Sequence, residues 1–202
     1  MISLELAGRG ERWAEPLYET LEEAVQDLYH AIERKLGKKE DYILFGHSMG
    51  SLLAYELCHM LIEQQYKQPL HLFVSGGKAP HVPRELVYHS MSDEDFKQHI
   101  LDYDESSNVI FSDKELHDFF MPVLRADFKI VETHQHQNKN NRLNCKMTAL
   151  TGSEDKSLTL HEVEEWKRYT QLEFNLQQFK GGHFFLNEHM EHIVELIHQT
   201  RA

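Results

Sequence analysis

The chain has 202 residues, 41% apolar and 27% charged, which suits one soluble domain or one domain with an inserted subdomain. Its formal net charge of −12 argues against wrapping a phosphate backbone, where affinity comes from Lys and Arg, and against docking on anionic lipid. The two cysteines, Cys58 and Cys145, are too few for a disulfide scaffold.

The N-terminal residues mix acidic and polar positions with no long apolar run, so neither a signal peptide nor a membrane span is expected, and the expected compartment is the cytoplasm. Met1 to Leu6 alternates and predicts a short strand, followed by a turn at Ala7-Gly8-Arg9-Gly10. Thr20 to Leu36 predicts a helix. Thr20 is its cap, Glu23 completes a capping box, Leu21, Ala24, Val25, Leu28 and Ile32 form its apolar face, and Gly37 is the expected stop. Tyr42 to Phe45 is a short apolar run that predicts a strand buried on both faces. Helical spacing from Ser48 to Glu63 and a second apolar strand from Leu70 to Ser75 complete a βαβ unit, the mark of a parallel sheet.

From Arg84 to about His136 the spacing predicts helices only: Asp93 to Leu101, Lys114 to Phe120 and Pro122 to Thr133. Strands resume at Met147 to Leu150, followed by a helix from Leu160 to Tyr169, a strand from Phe174 to Phe179 and a closing helix from Glu188 to Gln199. The expected organisation is one α/β domain over residues 1–202 with a helical lid insertion at about 84–136.

Gly46-His47-Ser48-Met49-Gly50 matches Gly-x-Ser-x-Gly, directly after an apolar strand and at the opening of a helix. That is the setting a nucleophile elbow requires, with the serine on a strained turn and glycines two residues to either side leaving room for strand and helix. Ser48 is thereby the candidate nucleophile, and the backbone N–H of Met49, at a helix N-terminus, the candidate oxyanion donor. A serine needs a base. Among the 15 histidines, His183 combines a Gly181-Gly182 approach with a position between the last strand and the last helix. The orienting acid should follow a strand and precede the histidine. Asp155, in Thr151-Gly152-Ser153-Glu154-Asp155, is the choice and Glu154 its competitor. His47, His81, His134 and His136 read as flanking, surface or lid residues.

Several blocks resemble the type II thioesterases that accompany nonribosomal peptide and polyketide synthetases. They are Tyr42-Ile-Leu-Phe-Gly-His-Ser-Met-Gly-Ser-Leu-Leu-Ala-Tyr-Glu-Leu57, Phe73-Val-Ser-Gly-Gly-Lys-Ala-Pro-His-Val-Pro-Arg84, Pro122-Val-Leu-Arg-Ala-Asp-Phe128 and Gly181-Gly-His-Phe-Phe-Leu186. Ala7-Gly8-Arg9-Gly10 is similar to that family's Pro-Gly-Arg-Gly turn. The resemblance implies an α/β-hydrolase fold, a mostly parallel sheet flanked by helices, with Ser48, Asp155 and His183 as the triad. It implies hydrolysis of acyl thioesters on the phosphopantetheine arm of acyl or peptidyl carrier domains, with no metal or diffusible cofactor, since the pantetheine belongs to the partner. Family members begin with an earlier strand and a Pro-Tyr-Ala-Gly-Gly loop that supplies a second oxyanion donor. On that comparison the first strand or strands are expected to be absent from this chain. Two other readings share the same residues: an esterase or acyltransferase, and an impaired hydrolase that only binds carriers. Lys78 and Arg84 are candidate contacts to an acidic carrier.

Overall fold

The computed structural model describes residues 1–84, 87–103, 107–137 and 142–200. The chain divides into two compact units, Met1–Leu36 with Pro83–Gln135, and Gly37–Val82 with His136–Ala202. No helix among the described residues is long and apolar enough to cross a membrane.

The second unit is built on a parallel sheet in the order β1 (Ile43–His47), β2 (His71–Ser75), β3 (Lys146–Gly152) and β4 (Phe174–Phe179). All five residues of β2 are buried, as are the last six of β3, because central strands of a parallel sheet are covered on both faces. Alternation along β2 divides the core. Leu72 and Val74 pack with Tyr55 and Cys58 of α2 (Met49–Glu63) and with Met147, Ala149 and Trp166. Phe73 packs with Leu150, Phe179, Phe185 and Ile193, the last from α7 (Met190–Gln199). The expectation that the first of these strands is buried on both faces does not hold. Among the described residues β1 pairs with β2 alone, and its Phe45 is 38% exposed. Thr159 caps the short α6 (Leu160–Glu164) through a reciprocal box with Glu162, and the chain tightens into a 3-10 turn over Glu165–Tyr169.

The first unit is helical. Thr20 Oγ1 accepts from Glu23 N at 3.2 Å at the start of α1 (Leu21–Glu33), and the Glu23 carboxylate accepts from Glu19 N, one residue before the cap. The helix stops before Gly37, because Lys35 N and Leu36 N both turn back onto Ile32 O. Met1 to Leu6 forms no strand: among the described residues no ladder partner adjoins it, and Met1 and Ile2 are exposed. The middle of the chain gives a 3-10 turn (Tyr88–Ser90), α3 (Asp93–Tyr103), α4 (Asn108–Ser112) and α5 (Lys114–Thr133). Two helices were expected where α5 runs unbroken through Pro122. A single proline removes one intrahelical bond, while Asp113 caps the first turn and Met121, Val123 and Ile130 are buried on both sides of the ring. Arg9 of the early turn donates through both terminal nitrogens to the Asp127 carboxylate of α5, at 2.8 and 2.7 Å.

Candidate active site

β1 ends at His47 and α2 begins at Met49, so Ser48 alone makes the turn. Its φ of 55° and ψ of −120° lie where side-chain-bearing residues rarely go, a strain of about 1–3 kcal/mol. Neighbouring bonds hold it there. Ser48 N donates to Ser75 O at 2.7 Å, at the end of the adjacent strand. Ser51 Oγ faces Gly46 O at 3.1 Å and Ser75 O at 2.8 Å, and accepts from Ser75 N at 3.1 Å. Gly46 is required by close approach, since a Cβ there would stand 1.8 Å from Gly50 O. Gly50 differs from the expectation that both glycines make room: a Cβ on it would meet open space. Met49 opens α2, where first-turn N–H groups have no intrahelical acceptor.

β3 and β4 deliver an acid and an imidazole to the same end of the sheet. β3 ends at Gly152 and β4 at Phe179, and the loops beyond them carry Asp155 and His183. Gly181 adopts φ +119°, a conformation that favours glycine, in the turn leading to the histidine. His183 Nδ1 lies 2.8 Å from Asp155 Oδ2, with side chains 4% and 1% exposed. Burial alone would raise the Asp155 pKa. The hydrogen bond and charge of His183, with two bonds from Ser157, outweigh it and hold the carboxyl below its ordinary value. Glu154, the competing acid, is exposed, and its backbone N–H donates to Gly181 O. A Cβ on Gly76, one residue beyond the Ser75 carbonyl that holds Ser48, would stand 3.4 Å from His183 Cε1.

His47 is more than a flanking residue. Its ring centroid stands 5.0 Å from that of His183, and its Nδ1 is 2.9 Å from Ser75 Oγ. Burial, then the proximity of His183, pushes its pKa down to about 3, so this ring is neutral beside its neighbour. The other histidines are tied down rather than freely exposed. His81 Nδ1 is 2.8 Å from Tyr169 Oη, His136 Nε2 is 3.3 Å from the same oxygen, and the 5%-exposed His134 side chain meets Glu22. Lys78 is neutralised by Glu162 at 2.8 Å, and Arg84 is partly buried with its pKa lowered by that burial. Neither is a freely solvated charge, which is the alternative to the carrier-contact expectation. Sequence reading missed Ser51, Ser75 and Ser157. Only Ser157 had a local signal, since Asp-x-Ser predicts a carboxylate accepting from the N–H two residues on.

A parallel sheet with a serine elbow after β1 and a bonded acid–imidazole pair after β3 and β4 defines an α/β-hydrolase-type serine hydrolase. The particular family follows from comparison with known proteins: the chain belongs to the thioesterase family, whose profile, described as a thioesterase domain, matches residues 1–200. Linear gramicidin dehydrogenase LgrE of Brevibacillus parabrevis is 33% identical over 202 residues, covering 98% of this chain and 75% of that protein. Thioesterase PikA5 of Streptomyces venezuelae is 33% identical over 192 residues, covering 95% of this chain and 68% of that protein. The crystal structure of ClbQ, from the colibactin nonribosomal peptide and polyketide pathway, superposes with a TM-score of 0.91 at 32% identity, covering 98% of this chain and 83% of that one. The family match, rather than the word dehydrogenase in the first relative's name, carries the assignment to enzymes that act on thioesters.

Proposed function

We propose that this chain removes acyl groups from the phosphopantetheine arm of acyl or peptidyl carrier domains in the cytoplasm, clearing misprimed synthetases, with Ser48, His183 and Asp155 as its triad. The observation that carries the reading is the buried Asp155–His183 pair at the sheet end where Ser48 is held in a strained elbow. The association of ClbQ with a nonribosomal peptide and polyketide pathway supports the choice of partner.

In this reading Ser48 Oγ attacks the thioester carbonyl while His183 Nε2 takes its proton. The tetrahedral oxyanion receives a hydrogen bond from Met49 N–H. Collapse breaks the C–S bond, and the imidazolium returns the proton to the departing pantetheine sulfur. Water then attacks the acyl-serine, its proton passes through His183 to Ser48 Oγ, and the free acid leaves. Asp155 holds the imidazole and stabilises its charged form. The steps balance without metal or diffusible cofactor. Residues 84–136 serve as a lid insertion within one domain.

The test is release of acetyl label from a loaded carrier domain, by the protein and by Ser48→Ala. Release by the wild type, lost by a factor of about 10⁴ or more in the variant, is the expected result. Turnover of oxygen esters alone would instead assign an esterase, and carrier binding with no release would assign a binding module.

A further inference from the structure

We propose that Ser157 is a positioning residue of this active site, pinning the Asp155 carboxylate and sharing the Nδ1 proton of His183. The inference rests on the triad reading above and extends it by one residue.

Asp155 has a side chain only 1% exposed, so its oxygens must find partners within the protein. Oδ2 faces His183 Nδ1 at 2.8 Å. Oδ1 accepts twice from Ser157, from the backbone N–H at 2.9 Å and from the hydroxyl at 2.6 Å. Rotation of an aspartate carboxylate about its last torsion is soft, so a carboxylate held through one oxygen turns easily. Two donors from one residue on Oδ1 remove that freedom and leave Oδ2 aimed at the imidazole.

The hydroxyl has a second role. A serine has one O–H proton, and the 2.6 Å contact to the carboxylate uses it. The Ser157 Oγ lone pair then faces His183 Nδ1 at 3.3 Å. With an acceptor carboxylate and an acceptor lone pair around it, Nδ1 is the protonated ring nitrogen, and Nε2 is left as the base. The donation to Oδ1 is also one of the interactions that keep Asp155 ionised against its burial.

The test compares Ser157→Ala and Ser157→Thr with the wild type, and with Asp155→Asn and His183→Ala as controls. The substrate is the S-acetyl thioester of N-acetylcysteamine, with kcat and KM followed from acid to neutral pH. The far-downfield proton resonance of His183 Nδ1–H is recorded for each protein and is read independently of turnover. Ser157→Ala is expected to lower kcat about 10-fold, the scale of one hydrogen bond to a charged group, with KM unchanged. Its acid limb moves to higher pH, because the carboxylate has lost a donor that favours its charged form. Its downfield resonance shifts or broadens, and Ser157→Thr restores all three properties. A wild-type resonance and acid limb in Ser157→Ala would overturn the proposal, whether kcat is unchanged or falls together with thermal stability. The triad reading fails separately, and takes the proposal with it, if Asp155→Asn and His183→Ala keep the wild-type rate.

Discussion

Ser51 Oγ sits between two strand ends, facing the carbonyls of Gly46 and Ser75 and accepting from Ser75 N. The residue is 1% exposed, so no water replaces those contacts. Ser51→Ala leaves the Ser75 N–H without its acceptor in a buried site, a loss of about 1–3 kcal/mol. Denaturant unfolding should show that loss as a lower midpoint with an unchanged slope, the sign of altered stability rather than altered compactness. The candidate nucleophile and base were legible in sequence because each sits in a turn whose backbone demands particular residues, while the acid was legible only as a choice between Asp155 and Glu154. Gly46 is fixed by close approach and Gly181 by its positive φ. Ser51 and Ser75 were not legible. Their partners lie 24 positions apart, and a serine hydroxyl leaves no periodic trace. His47 was read only as a neighbour of Ser48, since its packing against His183 depends on how two distant loops meet.

At the scale of elements, local chemistry set what could be read. β4 falls on the predicted residues, and α1 begins at the predicted cap. Burial of β1 was misread because apolar content records what a strand can bury, while its neighbours decide what it does bury. Likewise Met1 to Leu6 alternates but has no ladder partner among the described residues. The association of the early turn with α5 was invisible, since Arg9 and Asp127 are 118 positions apart. That pair is bidentate, with side chains 27% and 19% exposed, and is therefore stronger than an open surface ion pair. Asp127→Ala strands a half-buried guanidinium and should destabilise the helical unit by roughly 2 kcal/mol. Hydrogen exchange locates the effect: faster exchange in α5 with the amides of β2 and β3 unchanged is the expected pattern.

Across the whole molecule, two opposing electrostatic terms act as pH falls below neutrality. The net charge of −12 shrinks as exposed groups take up protons, and relief of self-repulsion favours the compact state. Against it stand histidines that the fold keeps neutral. Burial pushes His47 down to about 3 and His71, which bonds Thr148 Oγ1 at 2.8 Å, down to about 4. Their ordinary value is 6.5, so below that pH the unfolded chain binds protons that the folded chain refuses. Each such histidine removes up to ~1.4 kcal/mol of stability per pH unit between 6.5 and its folded value. Repulsion among surface charges is screened within about 8 Å at physiological salt, so the buried term dominates. Asp155 adds a second, more acidic step. Its folded pKa lies below 3.8, so its contribution is present above that pH and is lost as pH falls through the folded value. Urea midpoints measured from neutral to acid pH should therefore decline steadily below about 6.5. In His71→Gln that decline should be shallower by about one proton's worth, since one of the titrating sites is gone. An equal decline in the variant would mean that His71 is charged in the folded chain, against the burial that surrounds it.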